Sequence, residues 1–572
     1  MILQALCDYY NRCGDLPRKG MELKEIGFLI VIDKEGRFLR FEDRRIDKKQ
    51  AQQFLVKKHV GRTSALMANY LYDNSGYVFG YSDKGDVMAQ YQTFKDKVNN
   101  IYDAHPSNDD IAAVHKFYQQ KQPSVLEQMQ NDPLWSEIEK NLNKKYSTFS
   151  FLIEGDTQIV AEKVDLLDIE ESEPSEDEQI CLVSGKKGKT VETTTATMIP
   201  GSQATAKLVA FQVSSGYDSY GKSKGANAPI SEDAEFAYTT ALNHLLASSS
   251  RNKFTVGSRT FLFWTSKNDD AGKQVEESIF SMFGFTEQED DPNHNIEQVR
   301  KVFTSIYSGE FKTTSDDKFY VLGLAPNSAR IAVVYWAEIP LKKFAGTICR
   351  HFEDMEVVDT RLDKKPYQSL RNILSAVTLG GKVSEVTPNL PDAVVKSIFQ
   401  GIPYPQTLFA SCIRRIRAES GDKGKNEVHT TRAAIIRAYL NRLNNSEQKI
   451  QVMLDKDNTN HGYLCGRLFA VLDKIQEEAN NQHSIRERYM NSASSTPSSV
   501  FPTILNLSNH HIDNLKNEGR KVYFEKLKQE ILDKIDAGGF KTQLDLQDQG
   551  RFFIGYYHQR QDFFAKNEEN KE

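Results

Sequence analysis

The chain contains 572 residues, of which 39% are hydrophobic and 26% are charged, so it can bury a core and is not globally disordered. At roughly 150 residues per domain, this length predicts two to four domains. Lys and Arg number 73 and Asp and Glu number 78, so the formal net charge is -5. This balance excludes a histone-like or tail-driven nucleic-acid binder, whose domains are strongly basic, and restricts any contact with nucleic acid to local patches.

Cysteine usage and hydropathy point to a reducing, aqueous compartment. Six cysteines in 572 residues are too few for a disulfide scaffold, and the absence of a CxxC pair disfavours a structural zinc site. No apolar run approaches the roughly 18 residues that span a bilayer, and the first residues lack the basic and apolar regions of a signal peptide. We therefore expect a cytoplasmic protein with no membrane partner.

Strand and helix patterns alternate over the first 340 residues. Apolar residues at helical spacing predict a first helix, and two β-rich runs around residues 33–36 predict a hairpin. A later helix precedes another β-rich run, and a Pro-Asn pair separates the last two strands. The predicted helices cover residues 2–11 and 234–246, and the predicted strands cover residues 28–32, 37–41, 254–264, 319–324 and 331–336, with a turn at 326–327.

An acidic segment interrupts this mixed region. Residues 165–178 contain eight acidic residues and no basic one, with Pro174 among them. The composition favours a solvated loop or a domain boundary, and an acidic interaction surface is the alternative.

Helical patterns dominate after residue 345. The predicted helices cover residues 369–377, 391–399, 407–419, 430–443, 463–479, 503–515, 522–535 and 542–558. The clearest apolar stripe consists of Leu464, Leu468, Val471, Leu472 and Ile475, with Arg467 and Lys474 expected on the surface. The sequence therefore predicts an α+β protein, with a mixed α/β N-terminal domain at 1–345 followed by an all-α C-terminal helical bundle at 346–572.

Motifs of known chemistry are scarce. No histidine is followed by Asp, no HExxH occurs, and the adjacent His510 and His511 would point about 100° apart on a helix. Residues 185–190 resemble the end of a Walker A loop, but Val183 occupies the position of its first glycine, which favours a flexible basic loop. We expect no catalytic residue, no metal ligand and no cofactor.

Three segments have the composition of polyanion-binding surfaces. In the first, Lys and Arg side chains suit phosphates, Thr and Ser hydroxyls donate hydrogen bonds, and Asn amides suit the acceptors of the minor groove. Its candidate residues are Lys57, Lys58, Arg62, Thr63, Ser64, Asn69 and Asn74. The alternative is a surface turn between core elements.

The second segment is a glycine-rich basic loop at residues 217–227. Lys222, Lys224 and Asn227 are candidate contacts to a DNA backbone, and Tyr217 or Tyr220 could stack on a base. A surface loop without a ligand is the alternative.

The third segment is rich in arginine. Its candidates are Arg414, Arg415, Arg417, Arg432, Arg437 and Arg442. The last three step by five residues and so do not form one helical stripe, which makes ordinary salt bridges the alternative.

Several long stretches, in order along nearly the whole chain, resemble the large subunit of the type I-C CRISPR surveillance complex, Cascade, which is the Csd family. They include FLVKKHVGRTSALMANYLYDNSGYVFG, NAPISEDAEFAYTTALNHLL, GIPYPQTLFASCIRRIRAE, DNTNHGYLCGRLFAVLDKIQEEAN and RERYMNSASSTPSSVFPTILNLSNHH. The resemblance implies a non-catalytic subunit that recognises the protospacer-adjacent motif in duplex DNA. It also implies help in opening the duplex, stabilisation of the R-loop and docking of a trans-acting helicase–nuclease.

The implied partners are a crRNA-containing complex with backbone and crRNA-end subunits, target double-stranded DNA, and the displaced non-target strand. The family also implies a small subunit translated from within the same gene. Met453 is the candidate start, giving a product of 120 residues at 453–572, and Val452 is the alternative. A metal-dependent nuclease or a crRNA-processing enzyme of the same defence system is the competing functional hypothesis.

Overall fold

The computed structural model describes residues 1–47, 50–60, 66–142, 144, 147–163, 178–211, 218, 220–247, 249–283, 296–314, 316–360, 368–420, 428–443, 449–480 and 484–569. Strands end at residue 340 in these ranges, and only helices and turns follow. The expected α+β class is therefore confirmed. The acidic segment lies outside the described residues, apart from Glu178 at its end.

The helices begin and end as follows: α1 (Ile2–Arg12), α2 (Ser75–Val78), α3 (Met88–Ala104), α4 (Asp109–Gln119), α5 (Gln122–Gln130), α6 (Trp135–Asn141), α7 (Glu232–Leu246), α8 (Asp270–Phe283), α9 (Ile296–Ser308), α10 (Leu341–Met355), α11 (Leu370–Ser375), α12 (Leu390–Gln400), α13 (Gln406–Glu419), α14 (Thr430–Arg442), α15 (His461–Asn480), α16 (Ser484–Ala493), α17 (Pro497–Asp513), α18 (Glu518–Leu532) and α19 (Leu546–Glu569).

The strands are β1 (Met21–Glu25), β2 (Phe28–Ile32), β3 (Phe38–Asp43), β4 (Gln53–Lys57), β5 (Tyr72–Asp73), β6 (Phe149–Ile153), β7 (Glu178–Ile180), β8 (Lys187–Lys189), β9 (Lys253–Val256), β10 (Arg259–Thr265), β11 (Lys318–Asn327) and β12 (Arg330–Pro340).

The chain forms two compact units, each of which is assembled from more than one stretch of sequence. One unit consists of residues 14–191 and 229–240, and the other consists of residues 1–13, 192–228 and 241–572. Residue 345 lies inside α10, whose Phe344 and Ala345 belong to the same core as Phe261 of β10 and Phe552 of α19. In the second unit, sheet and C-terminal helices therefore share one core.

The 14–191 unit is built on a mixed sheet of order β3-β2-β6-β5, in which β2 and β6 are parallel. These two central strands read FLIVI and FSFLI, and all their residues are buried, as expected for strands covered on both faces. The predicted hairpin is confirmed as β2 and β3. Its turn is closed by Asp33, which accepts hydrogen bonds from the backbone N–H groups of Glu35 and Arg37.

In the same unit, the structure of residues 185–190 differs from the expected one. The basic segment at 185–190, expected to be a flexible loop, forms an antiparallel hairpin in which β7 pairs with β8. Gly185 makes the turn with φ +70°, a conformation that glycine adopts without steric cost.

The second unit contains an antiparallel sheet of order β12-β11-β10-β9. The β-rich run at 254–264 is a hairpin of β9 and β10, and not one strand. The predicted turn at Pro326-Asn327 is also wrong, because both residues continue β11 and Ser328 makes the turn with φ +55°. The pairing of β10 with β11 stops at Leu324, so the missing N–H of Pro326 removes no bond to β10.

Each predicted C-terminal helix corresponds to an observed helix, and α15 is buried along most of its length. Arg467, which we expected on the surface, has no exposed area. Its guanidinium binds Gln559 of α19 and Glu530 of α18, because α15 is covered on the polar side as well as along its apolar stripe.

Candidate nucleic-acid interface

The first candidate patch lies in the 14–191 unit, at the end of β4. Tyr70 lies between two lysines, with its ring centroid 4.4 Å from Nζ of Lys57 and 5.8 Å from Nζ of Lys97. Nζ of Lys58 lies 5.9 Å from the ring of Phe236. Aromatic faces attract cations without neutralising them, so contact with Tyr70 leaves Lys57 and Lys97 able to attract a polyanion.

An acidic residue limits the positive charge of this patch. The Nδ1 atom of His59 lies 2.8 Å from a carboxylate oxygen of Glu22, and the hydroxyl of Tyr72 lies 2.9 Å from the other oxygen. Burial alone would raise the pKa of Glu22, but the hydrogen bond and charge of His59 outweigh burial and lower it. The carboxylate is therefore ionised and pairs with His59, which leaves Lys57 and Lys97 around Tyr70 as candidate phosphate-binding groups of the patch.

The two predicted asparagines of this patch have different roles. Asn69 is buried, and its side-chain oxygen accepts a hydrogen bond from the backbone N–H of Val60 at 3.0 Å. Asn74 is exposed and caps α2, because its side-chain oxygen accepts from Gly76 N at 3.0 Å and Tyr77 N at 3.4 Å. Capping uses only the oxygen, so the exposed NH₂ of Asn74 is oriented by the cap and is a donor for a DNA acceptor.

Arg62, Thr63 and Ser64, which we also placed in this patch, lie outside the described residues.

The second candidate patch is the loop at residues 218–227 of the other unit. Asn227 donates to the carboxylate of Asp218 at 2.9 Å, and to the carbonyls of Lys222 and Lys224. The ammonium of Lys224 lies 2.7 Å from Glu192. Asn227 and Lys224 thus hold the loop together, whereas the side chain of Lys222 is exposed.

The third candidate patch divides between surface and core. Arg414 is exposed on α13, and neighbouring Arg415 pairs with Glu419 at 2.9 Å. Arg417 lies 3.5 Å from Gln549. Burial alone would raise the pKa of Glu419, but hydrogen bonds from Arg432 and Arg415 lower it, so the carboxylate stays ionised between two guanidinium groups.

The three arginines of α14 bind within the protein. Arg432 and Arg442 are buried; Arg432 donates to the carbonyl of Ala376 and pairs with Glu419, and Arg442 pairs with Asp354 at 2.5 Å. Arg437 donates to four backbone carbonyls, those of Glu353, Asp354, Ile450 and Gln451. These contacts join α14 to neighbouring segments, and they engage the guanidinium groups that we placed on a DNA-facing surface.

A family model described as CRISPR-associated protein (Cas_Csd1) matches residues 6–564. The chain belongs to this family. The match spans both compact units of this Csd1 protein, and it supports the type I-C large subunit that the sequence resembles. No curated protein matches the chain.

Two further observations bear on the site of this Csd1 protein. Within the ranges that the structure describes, no group of three or more His, Cys, Asp or Glu side chains is arranged to hold a metal ion. None of the described helices is both long and apolar enough to cross a membrane.

Sequence reasoning missed Lys97 as a member of the first patch. Lys97 lies on α3, whose core side is marked by Tyr91, Phe94, Val98 and Ile101. Its exposure follows from that helical pattern, but its approach to Tyr70 is a tertiary contact that no local signal encodes.

Proposed function

We propose that this Csd1 protein is the non-catalytic large subunit of a type I-C CRISPR surveillance complex, and that it recognises the protospacer-adjacent motif in duplex DNA. The family match over residues 6–564 carries this proposal. The net charge of -5 agrees with a subunit that contacts DNA through local patches and gains affinity from an RNA-loaded complex. Base pairing with the guide RNA would then read the remaining target sequence.

The proposed division of labour follows the type of side chain at each patch. The lysines around Tyr70 would bind phosphates of the duplex and Asn74 would donate to a minor-groove acceptor. Lys222 and Arg414 would contact phosphates once the duplex is opened, which would stabilise the R-loop and the displaced strand. Backbone and crRNA-end subunits, and a trans-acting helicase–nuclease, complete the set of proposed partners.

Asn74 is the residue at which motif recognition is tested most sharply. Asn74→Ser retains a capping oxygen but removes the amide donor, so folding should be preserved. We expect the assembled complex to lose about two- to tenfold of its discrimination among flanking motifs, the range for one hydrogen bond. Gel-shift titrations over a motif library at fixed salt measure this ratio.

Asn108→Ser is the matched control, because Asn108 caps α4 of the same unit in the same way, accepting from Asp110 N and Ile111 N. The assignment of Asn74 is wrong if both variants keep the discrimination of the wild type.

The proposed small subunit begins at Met453, which is 61% exposed in the segment before α15. Helices α15 to α19 follow this residue and would form the product at 453–572. Replacing the Met453 codon with an alanine codon should remove a 120-residue product from immunoblots while the full chain persists. A product of unchanged size would move the start to Val452 or elsewhere.

The absence of catalysis is also part of the proposal. Purified protein incubated with Mg²⁺ and labelled DNA or crRNA should leave both substrates intact. Cleavage that survives a mock purification control would favour the nuclease or crRNA-processing alternative.

A further inference from the structure

We propose that the loop segment carrying Tyr220 and Lys222 contacts single-stranded DNA, with Tyr220 stacking on an unpaired base and Lys222 neutralising a neighbouring phosphate. This inference rests on the proposed function, since it names the form of DNA that this loop would meet in an opened duplex. The sequence-based hypothesis placed Lys222, Lys224 and Asn227 on a DNA backbone and allowed Tyr217 or Tyr220 to stack on a base. The inference narrows that set to Tyr220 and Lys222, and Tyr217 lies outside the described residues.

Tyr220 is the most exposed of the large hydrophobic side chains in the described ranges. Its relative exposure is 99%, so its ring packs against nothing in the described chain. Large apolar rings usually bury part of their surface, and a ring presented to solvent beside a lysine suits a partner that has both a flat face and a negative charge. A nucleotide has both, because each base offers a π-face next to a phosphate.

The loop that carries Tyr220 is held in place by polar contacts. The carboxylate of Asp218 accepts hydrogen bonds from the backbone N–H of Lys224 at 3.1 Å and from the Asn227 amide at 2.9 Å. Glu192 makes two further contacts with the loop. Its backbone carbonyl accepts a hydrogen bond from Gly225 N at 3.0 Å, and its carboxylate lies 2.7 Å from Nζ of Lys224. These contacts hold residues 224–227 of the loop in place, whereas the side chains of Tyr220 and Lys222 are exposed to solvent.

The backbone of the loop is strained at two non-glycine residues. Tyr220 has φ +54° and Lys224 has φ +47°, a left-handed conformation that L-residues other than Asn and Asp adopt rarely. Such conformations persist where surrounding contacts enforce them, and they concentrate at ligand-binding sites. Here the hydrogen bonds of Asp218 and Glu192 to Lys224 and Gly225 hold the strained backbone at Lys224.

Charged side chains of both signs lie near Tyr220, and the carboxylate of Asp218 is hydrogen-bonded to Lys224 N and to the Asn227 amide. Lys224 is offset by Glu192, so it contributes structure more than net charge. Lys222 has no ion pair among the described residues, so its positive charge is available to a phosphate. Tyr220 and Lys222 are two residues apart, which places a stacking group beside a phosphate-binding group.

The test uses the assembled complex and a target duplex that carries a short unpaired bubble next to the motif. Tyr220→Leu should weaken binding to the bubble DNA by about tenfold, within the range measured for loss of one base–aromatic stack. Tyr220→Phe keeps the ring and should bind within about twofold of the wild type. Lys222→Ala should reduce the salt slope of binding by about one, as expected for one lost phosphate contact.

Tyr307→Leu is the matched control, because Tyr307 is 57% exposed in the same unit but lies on α9, away from this loop in sequence. It should leave bubble binding unchanged. A 2-aminopurine in the bubble provides a direct readout, since stacking on Tyr220 should quench its fluorescence in the wild type and in Tyr220→Phe, but not in Tyr220→Leu.

The outcomes separate this inference from the proposed function. If the wild-type complex binds motif-bearing bubble DNA and Tyr220→Leu binds it equally well, stacking by Tyr220 is refuted while the proposed function stands. If Tyr220→Leu fails to enter the complex, the ring belongs to a protein interface and the inference is also refuted. If the wild-type complex binds no DNA, both are wrong.

Discussion

At the scale of single residues, Arg414 and Arg442 have the same chemistry in very different surroundings. Arg414 is exposed on α13. The side chain of Arg442 is only 1% exposed. Its guanidinium pairs with Asp354 and donates to the carbonyls of Ser397 and Ile402. The first arginine is available to a ligand, and the second is needed by the fold.

We therefore predict opposite effects of two alanine substitutions. Arg442→Ala should lower the free energy of unfolding by about 3–5 kcal/mol, because it leaves the partly buried carboxylate of Asp354 without its partner. Arg414→Ala should leave unfolding unchanged and weaken DNA binding by the complex, with a salt slope smaller by about one. Urea denaturation and salt-dependent gel shifts measure the two effects, and a destabilised Arg414→Ala would contradict the assignment.

The difference between exposed and buried side chains of one type also explains how much of the site the sequence could predict. Composition located Lys57, Lys222 and Arg414 in basic segments, and these three side chains are at least partly exposed. It could not separate Asn74, which caps a helix at the surface, from Asn69, which is buried. Both are asparagines in one short segment, and only the fold determines which amide faces solvent.

At the scale of elements, the contact between α15 and α19 depends on glycine. A Cβ atom added to Gly466 would collide with the backbone carbonyl of Phe552, and one added to Gly555 would collide with that of Tyr463. The two helices therefore approach each other more closely than larger residues would allow, and their backbones pack face to face.

Gly466→Ala should consequently destabilise the helical part of the protein, by about 2 kcal/mol or more, since a backbone atom cannot rotate away as a side chain can. Gly538→Ala is the control, because nothing lies within 4 Å of its added Cβ. Thermal unfolding followed by circular dichroism compares the two. Equal melting temperatures would show that the helices separate readily and that the close contact contributes little.

Element prediction succeeded where local signals were strong. The C-terminal helices were predicted from their apolar spacing, but α10 and α16 were missed. Helix α10 follows β12 directly with Pro340 at its N-cap and no side-chain cap hydrogen bond, so the usual start signal is absent. The sequence of α16, SIRERYMNSA, has few apolar residues and no clear stripe.

At the scale of the whole molecule, two buried histidines link stability to pH. Burial, with a smaller contribution from the charge of Arg442, lowers the pKa of His351 to about 3. Burial and the charge of Arg437 lower the pKa of His558 to about 3 as well. Both imidazoles are therefore neutral in the folded protein at pH values where an unfolded chain would protonate them.

The direction in which pH changes the free energy of unfolding follows from the lower histidine pKa values in the folded protein. Above the unfolded value near 6.5, both states are neutral and stability is complete, whereas below it only the unfolded chain gains protons. We expect the free energy of unfolding to fall between pH 6.5 and about 4, by roughly 1 kcal/mol per pH unit for each imidazole. Urea titrations at pH 7.5, 6.0 and 5.0 measure the slope.

His558→Gln should flatten the dependence of the free energy of unfolding on pH, because unfolding then takes up about one proton fewer. Gln can still bond to the hydroxyl of Tyr463 and does not titrate. An unchanged slope would mean that His558 is protonated in the folded protein.

The central claim is that this subunit gives the complex its ability to distinguish flanking motifs. The most direct measurement is the ratio of dissociation constants for targets with a matched and a mismatched motif, determined at one stated salt concentration for complexes with and without the subunit. We predict a large ratio with the subunit and a ratio near one without it. An equal ratio in the two complexes would contradict the account.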